Sequence, residues 1–223
     1  MKNLIQIAGI MDREEAELLL DCGVDRLGFP LRIPSHDEDL TEDAAAGIIH
    51  DCKLRSRAVL ITYLNHARDI TDLCRRLGTS IVQIHGDILL NELRQLKIMA
   101  PEIALIKSLI VRPDHIADLA ADADKFEEYV DGFIVDTYDP ATGACGATGK
   151  THDWKTSRAL VDQSNKPVML AGGLNAQNVR RAIIEVKPGG VDAHTGVEDA
   201  HGRKNLSLVE AFVAEAREAF AAL

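Results

Sequence analysis

Two aspartates stand at the ends of short apolar runs, Asp136 in GFIVD (132–136) and Asp192 in GVDA (190–193). A carboxyl group held at the end of a buried run is suited to give or take a proton, because burial moves its pKa toward the working range of an acid or base. Two residues past Asp192 comes His194. Histidine changes charge near neutral pH, so His194 reads as a catalytic base, as a phosphate contact, or as a surface substitution without a role. Lys107 lies inside ALIKSLI (104–110). A lysine among apolar neighbours can act as a nucleophile, and the plainer role is a charge contact. His85 follows SIVQI (80–84), where a packed, hydrogen-bonded ring is the default. The pairs Gly172-Gly173 and Thr195-Gly196 follow two further runs. Both offer backbone N–H groups to a phosphate, which suits a protein without a basic patch.

The stretch ATGKT (147–151) ends like a nucleotide-binding P-loop, but the position needing the first glycine is Ala144. A P-loop also passes directly from strand to helix. Here a long segment separates Asp136 from a helix starting near Trp154. The stretch is therefore a long glycine-rich loop, a feature that compact domains keep for function or leave disordered.

These residues need a scaffold. Apolar runs at 4–8, 26–29, 58–64, 80–84, 104–110, 132–136, 167–171 and 190–193 alternate with amphipathic segments. Leu18, Leu19 and Cys22, or Leu93, Leu96 and Met99, make one buried helical stripe. Continuous apolar runs suit parallel strands covered on both faces. Eight strand–helix units in a chain of 223 residues predict an α/β fold, a single (β/α)8 TIM barrel over 1–223. Asp12 and Thr41 are expected to cap the first two helices. In such barrels the chemistry gathers where strands end, here at Ala8-Gly9, Asn65, His85, Lys107, Asp136, Gly172-Gly173 and 192–196.

The composition narrows the partners. Hydrophobic residues make up 46% of the chain, enough for a large core, and the net charge of −10 argues against nucleic acid and anionic membranes. Cys22, Cys52, Cys74 and Cys145 form no C-x-x-C pair, so they read as reduced thiols of a cytoplasmic protein without a metal site. No run reaches membrane-spanning length, no signal peptide is recognisable, and no dinucleotide fingerprint calls for a cofactor.

Several segments carry a family resemblance. QIAGIM (6–11) stands against KICGIT, VQIHG (82–86) against VQLHG, and IKS (106–108) against IKA. TGKTHDW (148–154) stands against GKTFDW, LAGGLNAQNV (170–179) against LSGGLNPENV, and VDAHTGVE (191–198) against VDVSSGVE. Together, nearly end to end, they resemble the phosphoribosylanthranilate isomerase family of tryptophan biosynthesis.

The resemblance implies an Amadori-type acid/base isomerisation of a phosphorylated sugar amine, without a cofactor, by a monomer or homodimer. It implies that Asp136 is the general acid and that Gly172, Gly173, Thr195 and Gly196 hold phosphate. Asp192, Lys107, Asn65 and His85 are the expected substrate contacts. The loop ending in Thr151 would fold over the substrate. Five positions depart from the family: Ala8 replaces the cysteine base, Asp37 an arginine that holds a carboxylate, Gln6 a lysine, and His194-Thr195 a Ser-Ser pair. These departures imply a changed substrate. Two further readings stand beside that one: a catalytically inactive phosphosugar-binding barrel serving as sensor or partner subunit, and an aldolase forming a Schiff base on Lys107.

Overall fold

The computed structural model describes residues 2–34, 40–112, 118–138 and 151–223. The apolar runs are parallel strands: β1 (Leu4–Ala8), β2 (Arg26–Pro30), β3 (Ala58–Thr62), β4 (Ile81–Ile84), β5 (Ala104–Val111), β6 (Gly132–Thr137), β7 (Val168–Leu170) and β8 (Gly190–Ala193). They pair in chain order and close, β8 against β1. Outside them lie α1 (Arg13–Asp21), α2 (Glu42–Asp51), α3 (Ala67–Leu77), α4 (Leu90–Met99), α5 (Leu119–Phe126), α6 (Trp154–Gln163), α7 (Val179–Val186) and α8 (Leu206–Ala221). This is the expected (β/α)8 barrel.

Strand side chains alternate between two cores, because the pleat has a period of two. Ala8, Val59, Ile61, Ile81, Ile106, Ile134, Met169 and Ala171 fill the barrel. Their neighbours, such as Ile7, Leu60, Val82, Leu105 and Val135, face the helices. Helix starts follow the caps read from sequence. Asp12 accepts from the Glu15 N–H at 2.9 Å and Thr41 Oγ1 from the Ala44 N–H at 3.2 Å. α3 ends on Gly78 in the left-handed conformation (φ 76°), which lets its N–H reach the Cys74 and Arg75 carbonyls.

The third strand differs from the sequence expectation: it stops at Thr62 rather than Leu64, where Thr62 Oγ1 takes the Leu64 N–H at 3.3 Å and turns the chain from the ladder. Residues 113–117, before α5, lie outside the described residues.

The closing seam is tied from below. Arg217 on α8 donates to the carbonyls of Asn3 and Gly23, each at 2.9 Å, and to Asp25 Oδ2 at 2.8 Å. Asp25 Oδ2 also accepts the Ile5 N–H of β1 at 2.8 Å.

Candidate active site

Where the strands end, the inward positions change from apolar to polar. Gln6, Gln83 and Ser108 are all buried. They form a chain: Gln6 Nε2 donates to Gln83 Oε1 at 3.1 Å, and Gln83 Nε2 to Ser108 Oγ at 3.3 Å. Ser108 Oγ lies 3.0 Å from His85 Nδ1, and the His85 ring leans on Tyr63 with centroids 5.1 Å apart. His85 is thus the packed, hydrogen-bonded ring the sequence favoured, and it also bears electrostatically on Asp136.

Asp136 lies two residues beyond inward-facing Ile134, so the pleat aims it into the barrel mouth. It shares a narrow cavity with Asp192, Gly172, Gly173, His194, Thr195 and Gly196. Asp136 Oδ1 accepts the Thr137 N–H at 2.7 Å. Burial raises the Asp136 pKa, while His85 and the Thr137 N–H oppose the rise. Asp192 is pushed well above the usual carboxylate range, first by burial and then by the charge of Asp136. Gln6 and Lys204 moderate that rise, and Asp192 Oδ1 is buried without a hydrogen-bond partner. Two such carboxyls in one cavity disfavour double ionisation, so the pair favours holding one proton between them.

The β1–β8 corner holds the altered family positions. Ala8 faces inward, beside Gly28 of β2, where a Cβ would strike the Ala8 methyl and Ile61. Register pairs Gln6 with Asp192 and Ile7 with Ala193. The ladder ends there, with Ala8 and His194 the next residues on the two chains. The His194 ring occupies the space a Cβ on Gly9 would need, and Gly9 adopts φ 79°. His194 Nε2 lies 3.3 Å from Glu198 Oε1, and Lys204 Nζ pairs with the same oxygen. Buried Glu15 fastens the two loops, accepting the Met11 and Lys204 N–H groups at 3.0 Å each.

The β7 and β8 loops fit together through glycine. Gly172 (φ 90°) lies so close to Thr137 that a Cβ would overlap its hydroxyl, and a Cβ on Gly196 would overlap the Leu174 carbonyl. Asn178, before α7, receives the Asn175 N–H at 2.9 Å and donates to the Gly173 carbonyl at 2.9 Å. Thr137 Oγ1 meets His152 Nδ1 at 2.8 Å, and His152 Nε2 meets Ser157 Oγ at 2.5 Å. Burial depresses the His152 pKa to about 4, so its ring is neutral and structural.

Lys107 is not brought to this center. It falls one residue from inward-facing Ile106 and Ser108, so it points toward the helices. Its Nζ donates to the Ser108 carbonyl at 2.8 Å and lies 5.7 Å from the Phe126 ring center. Burial lowers its pKa to about 8, and its parity places it on the other face of the sheet from Asp136. Asn65 and His85 line a separate cleft of about 530 Å³ together with Lys107. Asp37, Cys145 and Lys150 lie outside the described residues. Among the described residues no cluster of three His, Cys, Asp or Glu is set to hold a metal ion.

Gln83, Ser108, Glu198 and His152 were not singled out from the sequence. For Gln83 and Ser108 a signal existed: each lies two residues beyond an inward apolar residue, Ile81 or Ile106. Glu198 and His152 act through tertiary contacts that no local pattern announces.

Comparison with known proteins accords with this geometry. The family model described as N-(5'phosphoribosyl)anthranilate (PRA) isomerase matches residues 5–215. N-(5'-phosphoribosyl)anthranilate isomerase 2 of Methanosarcina mazei is 36% identical over 218 residues, spanning 97% of this chain and 95% of that one. The isomerase of Methanothrix thermoacetophila is 33% identical, spanning 96% and 97%. The crystal structure of phosphoribosyl anthranilate isomerase from Thermotoga maritima superposes with a TM-score of 0.80 at 27% identity, covering 98% of this chain and 100% of that chain. By family model, sequence and fold, the chain belongs to the N-(5'-phosphoribosyl)anthranilate isomerase family.

Proposed function

We propose that this protein isomerises N-(5'-phosphoribosyl)anthranilate to 1-(o-carboxyphenylamino)-1-deoxyribulose 5-phosphate, and that its departures from the family pattern alter the means and not the substrate. The expectation of a changed substrate draws no support from the relatives, which are described as isomerases of this one compound. The observation that carries the reading is Asp136. It is buried at the end of β6, in one cavity with the glycines of the β7 and β8 loops.

The substrate phosphate lies against Gly172, Gly173, Thr195 and Gly196, held by backbone N–H groups rather than by a cationic patch. Asp136, its pKa raised by burial, carries the proton to the ribose ring oxygen. As the C1–O bond breaks toward that oxygen, the nitrogen lone pair forms the C1=N bond. A base then takes the C2 proton. The C–H pair becomes the C1=C2 bond, the C=N pair returns to nitrogen, and the enolamine tautomerises to the ketose. Atoms and electrons balance without a cofactor.

The test follows loss of substrate fluorescence with the wild type beside Asp136→Asn. The expected result is turnover by the wild type and a loss of about 10²–10⁴-fold in kcat for the variant. An inactive wild type that still binds the product phosphate would favour the phosphosugar-binding barrel, the reading to which Ala8 lends itself.

A further inference from the structure

Alanine at position 8 leaves the isomerisation without its expected proton acceptor, and the β1–β8 register shows what stands in that place. β8 ends at Ala193, paired with Ile7, and His194 is the next residue, as Ala8 is the next on β1. Its ring lies over Gly9, the residue after Ala8, where any side chain at position 9 would collide with it. It lines the cavity that contains Asp136 and Asp192. Glu198 holds Nε2 at 3.3 Å, and Lys204 holds Glu198. A base oriented by a carboxylate, itself fixed by a third group, is the arrangement that nucleophile and proton-transfer sites use repeatedly.

We infer that His194 is the catalytic base, moved one strand from β1 to β8, and that Glu198 positions it. The inference rests on the isomerase reading above. With the Nε2 proton directed at Glu198, Nδ1 is the basic nitrogen of the neutral ring and accepts the C2 proton. The C–H electron pair goes to the C1=C2 bond, the iminium pair to nitrogen, and the proton stays on imidazolium until C1 takes it up. Asp192, in the same cavity, is the rival proton acceptor, and the Asp192→Asn variant below distinguishes the two.

The experiment uses the full chain with N-(5'-phosphoribosyl)anthranilate, comparing wild type, His194→Gln, His194→Ala, Asp192→Asn, Ala8→Cys and the double variant His194→Ala/Ala8→Cys. Both His194 variants are expected to lose about 10²–10⁴-fold in kcat, with KM within about threefold of wild type. The double variant is expected to regain at least about tenfold over His194→Ala, because a thiolate then serves from β1. That rescue also shows that the variant folds.

A kcat within about twofold of wild type in His194→Gln overturns the inference. So does a raised KM with unchanged kcat, which marks a phosphate contact. Loss of activity in Asp192→Asn but not in His194→Gln transfers the role to Asp192. A wild type that is inactive until Ala8→Cys is made overturns His194 but leaves the isomerase pocket intact. Inactivity in both removes the substrate reading and the inference together.

Discussion

Gln6 shows how one residue sets the electrostatics of the barrel mouth. A lysine at this inward position would set an ammonium beside Asp192, whereas Gln6 offers a neutral amide. Asp192 is therefore held well above the usual carboxylate range by burial and by Asp136. As pH rises past the unfolded value of about 4, the unfolded chain releases a proton that the folded chain keeps. Stability then falls with rising pH, by at most about 1.4 kcal/mol per unit. Asp192→Asn is expected to be more stable than wild type at pH 7–8 and to lose that advantage near pH 4, as urea titrations at both pH values would show. A second prediction concerns Gly9, whose φ of 79° and missing Cβ make room for the His194 ring. Gly9→Ala is expected to cost about 1 kcal/mol of stability and, by displacing the ring, to lower kcat beyond what the folded fraction explains. At this scale the sequence showed Asp136 and Asp192 because each ends an apolar run. It left Lys107 ambiguous until its side of the strand was fixed by the parity of Ile106 and Ser108.

Among elements, α6 is joined to β6 through His152. His152 links Thr137, the last residue of β6, to Ser157 inside the helix. Its pKa of about 4 lies below that of an unfolded histidine. Between about pH 6.5 and about 4 the unfolded chain takes up a proton that the folded ring refuses, so stability falls as pH drops through that window. His152→Asn is expected to flatten this acid-side slope and to cost about 1–3 kcal/mol at neutral pH through the orphaned Thr137 and Ser157 hydroxyls. Thermal melts from pH 4 to 7 check both effects. Strands were legible to within a residue or two because parallel strands covered on both faces are apolar throughout. Helix starts were legible where a side chain caps them, as at Asp12 and Thr41. The anchoring of α6 was not legible, because it is made between residues 137, 152 and 157 across a long connection.

For the molecule as a whole, closure is the demanding step, since β1 and β8 meet only after the chain has gone around. Arg217 fastens that seam at the end of the barrel away from Asp136. Arg217→Met keeps much of the stem and removes the hydrogen bonds. It is expected to destabilise by about 1–3 kcal/mol while leaving kcat of the folded protein unchanged, since the lower face of such barrels serves stability and the upper face chemistry. Denaturant midpoints beside steady-state rates separate the two. Eight evenly spaced units made closure legible, whereas the polar chain from Gln6 to His85 needed the register of non-adjacent strands.

Ala8 has a further consequence, in redox terms. A methyl group at the end of β1 cannot be alkylated, nitrosylated or oxidised to a sulfenic acid. Among the described residues the thiols are Cys22, Cys52 and Cys74, all raised in pKa by burial and none lining the cavity of Asp136 and Asp192. Cys74 alone of these is buried, its pKa pushed up to about 12, and a thiol held there is inert. Position 8, where a sulfur base would meet peroxide and thiol reagents, is itself closed to both.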